Sequence, residues 1–128
     1  MPAVLQKVAP VILVRDLVAS VAYWRDKVGF EARELYGEPP NFAMPTRDGV
    51  TLMLAQPPKG TVLPPPHWQV IDKTNEVYIW VDDARALYDE LRERGATIDF
   101  TLYDTPWGTR EFGIQDLDDH DIAFGQIL

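Results

Sequence analysis

The chain has 128 residues, of which 46% are hydrophobic and 11% aromatic, and it contains no cysteine. That composition is globular, allows one domain-sized core, and excludes disulfides, thiolate metal sites and cysteine nucleophiles. Twenty acidic against twelve basic residues give a formal charge of −8, which makes nucleic acid a poor partner and attracts cations.

The opening stretch, MPAVLQKVAPVILV, is a short apolar run broken by Pro10. It is too short for a membrane span and lacks the layout of a signal peptide, so no membrane partner and a cytoplasmic location are expected. Val11 to Val14 read as a strand. Asp16 then caps a predicted helix whose Leu17, Val21, Trp24 and Val28 recur at helical spacing. Gly29 suits the left-handed residue that ends such a helix. Three strand-like runs follow: FEARELY, NFAMPT and VTLMLAQ. The segment QPPKGTVLPPPHW cannot join a central strand, because its prolines lack the amide donor, and it reads as an extended linker.

Beyond the linker the pattern returns. EVYIWV is β-rich, Asp82 and Asp83 stand at a helix start, and Ala84, Leu87, Tyr88 and Leu91 form an apolar stripe that Gly95 stops. TIDFTLY, TREFGIQ and DIAFGQI are again strand-like. The order β-α-β-β-β thus occurs twice, which is an internal duplication. The predicted fold class is α+β, a single domain over residues 1–128 in which two βαβββ modules form curved mixed sheets around a cleft. The first module covers 1–56, the Pro-rich linker 57–74 and the second module 75–128.

One helix cannot cover both faces of a four-stranded sheet, so the helical faces pack and the other faces are left to curl around a hollow. Strand parity predicts its lining: Met53 and Ala55 opposite Leu52 and Leu54, then Glu76, Tyr78 and Trp80 opposite Val77, Ile79 and Val81. On the last run Asp121, Ala123 and Gly125 lie opposite Ile122 and Phe124. Aromatics, a thioether and carboxylates on one face suit a small-molecule cleft.

The stretches VRDLVASVAYWRDKVGFE and VDDARALYDELRERGA, with DGVTLMLA, VYIWV and PWGTREFGIQDLDDHDIAF, resemble the vicinal oxygen chelate superfamily of glyoxalases, dioxygenases and bleomycin resistance proteins. Together they are most similar to the bleomycin resistance proteins, and this resemblance implies a homodimer with an N-terminal arm exchanged near Pro10. It also implies a non-catalytic, antibiotic-binding role in which Trp107 of the Pro-Trp-Gly turn stacks on a flat ligand. Phe42 and Tyr78 correspond to further cleft aromatics, while Met53 and Ala55 stand where the family has Phe and Ser. Arg33 and Glu34 lie near positions that carry an acid and an aromatic in those proteins.

The enzymes of the superfamily hold a divalent metal at four positions, which here carry Ala9, Met53, Glu76 and Ala123. One carboxylate does not make a site where about three protein ligands are normal, so neither a metal nor another cofactor is expected. His67 in the linker and His120 in the acidic turn read as solvent-exposed loop histidines, although the linker can bring His67 towards the cleft mouth. DLDDHD lacks the spacing and glycine of a calcium loop and reads as a reverse turn with Asp119 at positive φ. No nucleophile elbow, phosphate loop or dinucleotide fingerprint is present, and Arg110 with Glu111 admits a plain reading as an ion pair. The resemblance, with the strand faces and the acidic charge, therefore implies a binding protein for a planar cation, with Phe42, Met53, Ala55, Glu76, Tyr78, Trp80 and Trp107 around the ligand and no catalytic group. The competing reading is a glyoxalase- or dioxygenase-type enzyme with an unusual or absent metal, for which Glu76 and Asp121 supply an acid-base pair.

Overall fold

The computed structural model describes every residue from Met1 to Leu128. Strand β1 (Val11–Leu13) leads into helix α1 (Leu17–Tyr23), which continues as a π-helical turn over Trp24–Val28. The Asp16 side chain accepts the Ala19 N–H at the helix start, and Gly29 ends it at φ 77°. Leu17, Trp24 and Val28 are completely or almost completely buried, as their spacing predicts.

Next come β2 (Leu35–Tyr36), β3 (Phe42–Ala43), β4 (Thr46–Arg47), β5 (Val50–Thr51) and β6 (Met53–Ala55). These strands are shorter than the apolar runs that predict them. Pro45 divides NFAMPT into β3 and β4, because a proline nitrogen cannot continue a ladder. The β4–β5 hairpin turns at Asp48 and Gly49, both at positive φ, the pairing that two-residue hairpin loops favour.

The connection to the second half contains a one-turn helix, α2 (His67–Val70). After it lie β7 (Val77–Trp80), α3 (Ala84–Arg94), β8 (Thr97–Asp104), β9 (Thr109–Gln115) and β10 (Asp121–Ile127). The Asp83 side chain caps α3 through the Ala86 N–H, repeating the device of Asp16.

The two four-stranded sheets have the orders β1-β6-β3-β2 and β7-β10-β9-β8, each with one parallel pair at its start. They are the curved mixed sheets of the predicted α+β class. The core lies between them, where α1 packs on the first sheet, α3 on the second, and α3 meets the π-helical turn. Leu52, Leu54, Ile122 and Phe124 point inward in the parity expected. Bonds between the halves fix their arrangement. Tyr23 donates its hydroxyl proton to the Gln115 carbonyl (2.6 Å), Arg15 pairs with Asp118 (3.0 Å), and Arg47 grips Glu90 with two nitrogens at 2.8 Å. With the helices between them, the sheets leave their far faces open.

Candidate functional site

The open face of the second sheet carries a cavity of about 680 Å³. Its construction begins with two glycines. Phe112 and Ile114 of β9 point into the core, so Gly113 between them faces the cavity, and its missing side chain leaves space that the Phe100 ring occupies. On β10, Gly125 likewise leaves space that the Tyr78 ring occupies. The Tyr78 phenol crosses β10 at Gly125 and donates to Glu111 Oε2 on β9, 2.5 Å away. Burial first, and the Glu111 carboxylate second, hold that phenol protonated well above its ordinary range.

Strand β8 reaches the cavity through irregularity. Its register against β9 slips between Ile98 and Phe100 and again between Phe100 and Tyr103. Each slip is an extra residue on β8, and each reverses the side of the sheet that the following residues face. Phe100 and Tyr103, three apart, therefore both line the cavity, with their rings edge-to-face at 6.0 Å. The turn after β8 presents Trp107, 69% exposed, at the rim of the same cavity. Its base is stiff: Thr105 N donates to the Thr109 carbonyl at 2.7 Å, and the two threonine hydroxyls bond at 2.7 Å. This accounts for a tryptophan in a turn, since the side chain is displayed on a rigid mount.

The charged lining is mainly acidic. Asp72, Asp99, Glu111 and Asp121 face the cavity with one cation, Lys73. Asp121 is 9% exposed and accepts a hydrogen bond from the Gln115 side-chain amide at 2.9 Å. Burial, with Asp99 and Glu76 nearby, raises its pKa to about 6 against the Gln115 bond. A cavity that penalises its own carboxylate favours a cation that relieves the penalty.

The predicted site residues do not converge in one hollow of the single chain. Trp107 lines the cavity described. Met53, Tyr78 and Trp80 line another, also about 680 Å³, between the edges of the two sheets beside Ala9 and Pro10. Phe42 and Ala55 are register partners on the open face of the first sheet, where Phe42 also packs on Tyr36. The reason is geometric: the helices separate the sheets, so the two open faces of one chain are apart.

Glu76 does not present a free carboxylate. One oxygen accepts the His67 backbone N–H (2.7 Å) and the other the Asp121 backbone N–H (3.1 Å). The superfamily's metal does not fit these residues: Ala9, Met53 and Ala123 offer no suitable donor set, and Glu76 is engaged by the backbone. No three His, Asp or Glu side chains converge in a geometry that could hold a metal ion.

His120 corrects a further expectation. It is buried, with Nδ1 2.8 Å from Asp116 Oδ2, because the acidic turn folds inward around Asp116, which also accepts the Asp118 and His120 N–H groups. Burial lowers its pKa, but the Asp116 bond and charge outweigh that and leave it raised. His67 is exposed, and Asp119 has φ 63°, both as predicted. Arg110 pairs with Asp104 (2.7 Å) and not with Glu111, since neighbours on a strand face opposite sides. Sequence reasoning missed Phe100, Tyr103, Glu111 and Trp68 of the linker. The glycines of REFGI and IAFGQ, on the open parity of two strands, were the available signal of close approach.

The family model described as the glyoxalase/bleomycin resistance protein/dioxygenase superfamily matches residues 5–124. No curated protein matches the chain. Among solved structures, the bleomycin-binding protein from Streptomyces verticillus, complexed with copper(II)-bleomycin, is 26% identical with a TM-score of 0.70, over 96% of this chain and 97% of that one. TioX from Micromonospora sp. ML1 is 22% identical, with a TM-score of 0.72, over 95% of this chain and 100% of its own. TnmS3, an antibiotic binding protein from Streptomyces sp. CB03234, is 20% identical with a TM-score of 0.69, over 98% and 100%.

Proposed function

Since this chain belongs to the glyoxalase/bleomycin resistance protein/dioxygenase superfamily, we propose that it is a non-catalytic protein that binds and sequesters a flat, cationic small molecule of the antibiotic class. The observation that carries this reading is Trp107, held exposed on a rigid turn above a cavity whose charged lining is four carboxylates and one ammonium. A planar cation gains on both counts: stacking on the ring, and pairing with the buried Asp121 carboxylate, whose charge burial disfavours. The likeness to proteins that bind bleomycin and other antibiotics supports the ligand class. The lack of a fitting metal donor set weighs against the metal-assisted chemistry of the superfamily's enzymes. Phe42, Met53 and Ala55 join this site in a homodimer, in which the open first sheet of one copy faces a cavity of the other.

The test is calorimetric titration of the purified protein with metal-free bleomycin, copper(II)-bleomycin and planar thiazole- and quinoxaline-bearing antibiotics. At least one should bind at about 10 µM or tighter, near −7 kcal/mol, and be recovered chemically unchanged. Turnover of the bound compound, or no binding across the set, overturns the reading.

A further inference from the structure

By its prolines, the connection between β6 and β7 reads as a spacer. Its C-terminal part is nevertheless built into the second sheet. Glu76 ties the first N–H of α2 to the backbone of Asp121, one oxygen to each. The Trp68 indole Nε1 donates to the Asp119 carbonyl at 2.7 Å. An indole has one donor, so this bond anchors one edge of the ring and leaves its faces for contact. A four-residue helix has no stability of its own, and a tether needs no such anchors. What the anchors accomplish is to hold an aromatic ring at the wall of the cavity that Trp107 rims. Asp72 on the same connection and Asp99 on β8 add negative charge to that wall.

We infer that the β6–β7 connection is a wall of the binding site, and that Trp68 is a specificity-determining residue on which a planar cation stacks, in concert with Trp107. This rests on the reading of the cavity as the site of a planar cationic ligand. Glu76 is then a positioning residue that acts through α2 and touches no ligand.

The probe is proflavine, a planar and fluorescent acridinium cation, titrated into the wild type, Trp107→Ala, and Trp68→Ala, Trp68→Leu and Trp68→Phe. The Leu and Phe variants both lose the bond to Asp119, so any difference between them reports stacking alone, with urea midpoints checking that each is folded. Trp68→Ala and Trp68→Leu should weaken proflavine binding about tenfold, and Trp68→Phe by no more than roughly threefold. If Trp68→Leu binds as the wild type does while Trp107→Ala does not, Trp68 is no contact and the inference fails, though the planar-cation reading survives. If the wild type itself ignores proflavine, both fail together.

Discussion

Trp107 and Asp121 show how single side chains divide stability from recognition. Trp107 contributes little burial, so Trp107→Ala should change unfolding stability by about 1 kcal/mol or less. Its ligand affinity should fall by roughly 1–2 kcal/mol through lost stacking. Urea unfolding beside calorimetric titration separates the two, and lost stability with unchanged affinity would make the turn purely structural. Asp121 behaves in the opposite way. Its pKa is raised from 3.8 to about 6 in the fold. The folded state therefore holds the proton more tightly than the unfolded chain. Stability from this group is complete below pH 4 and is lost as the pH rises through about 6, on the order of 2–3 kcal/mol. Asp121→Asn should thus raise the urea midpoint at pH 8, leave it nearly unchanged at pH 4, and weaken cation binding at pH 8. A midpoint that falls at pH 8 would mean that the carboxylate is a structural acceptor. Such a residue was legible in the sequence as a face and not as an energy: alternation put Asp121 on the open side with Glu76, but only the fold buries it and brings Asp99 beside it.

At the scale of elements, the helices were readable because each carries its own start, stripe and stop within about a dozen residues. The strands of the second half were readable for the same reason, and β9 and β10 coincide with the apolar runs TREFGIQ and DIAFGQI. The strand TIDFTLY is found as β8, but its facing was not readable, because a bulge is a relation between two strands. Regular alternation places Phe100 with Ile98 and Leu102, whereas the slipped register turns it to the opposite face. The linker hid Trp68 in the same way, since its anchors lie on Glu76 and Asp119, outside the segment. Gly113 tests the account of β8. A side chain there runs into the Phe100 ring, so Gly113→Ala must move that ring or open the pairing of β8 with β9. We expect a loss of about 1–3 kcal/mol in urea unfolding, the usual range for overpacking. Gly113→Ala in a Phe100→Ala background should recover much of it. No recovery would show that Gly113 serves the backbone and not the ring.

For the whole molecule, the surface exposes more than one chain should. The accessible area is 8334 Å², against roughly 6,900 Å² expected of a compact monomer of this mass. The excess of about 1,400 Å² has identifiable owners. Val4, Leu5 and Val8 of the arm are more than four-fifths exposed, and Trp80 and Val11 are each 61% exposed on the edge strands of their sheets. Unpaired edges and apolar arms are surfaces that association removes. A two-fold dimer covers each of these features on both copies at once, and an excess of this size per chain is of the order that stable interfaces bury. Light scattering should therefore give twice the 14.6 kDa chain mass at micromolar concentration. Removing residues 1–8 should shift the protein towards monomer and, if the proposed dimer places Phe42 and Met53 over a neighbour's cavity, weaken ligand binding as well. A wild type that scatters as a monomer would leave the arm unexplained and confine the site to the second sheet and its linker wall.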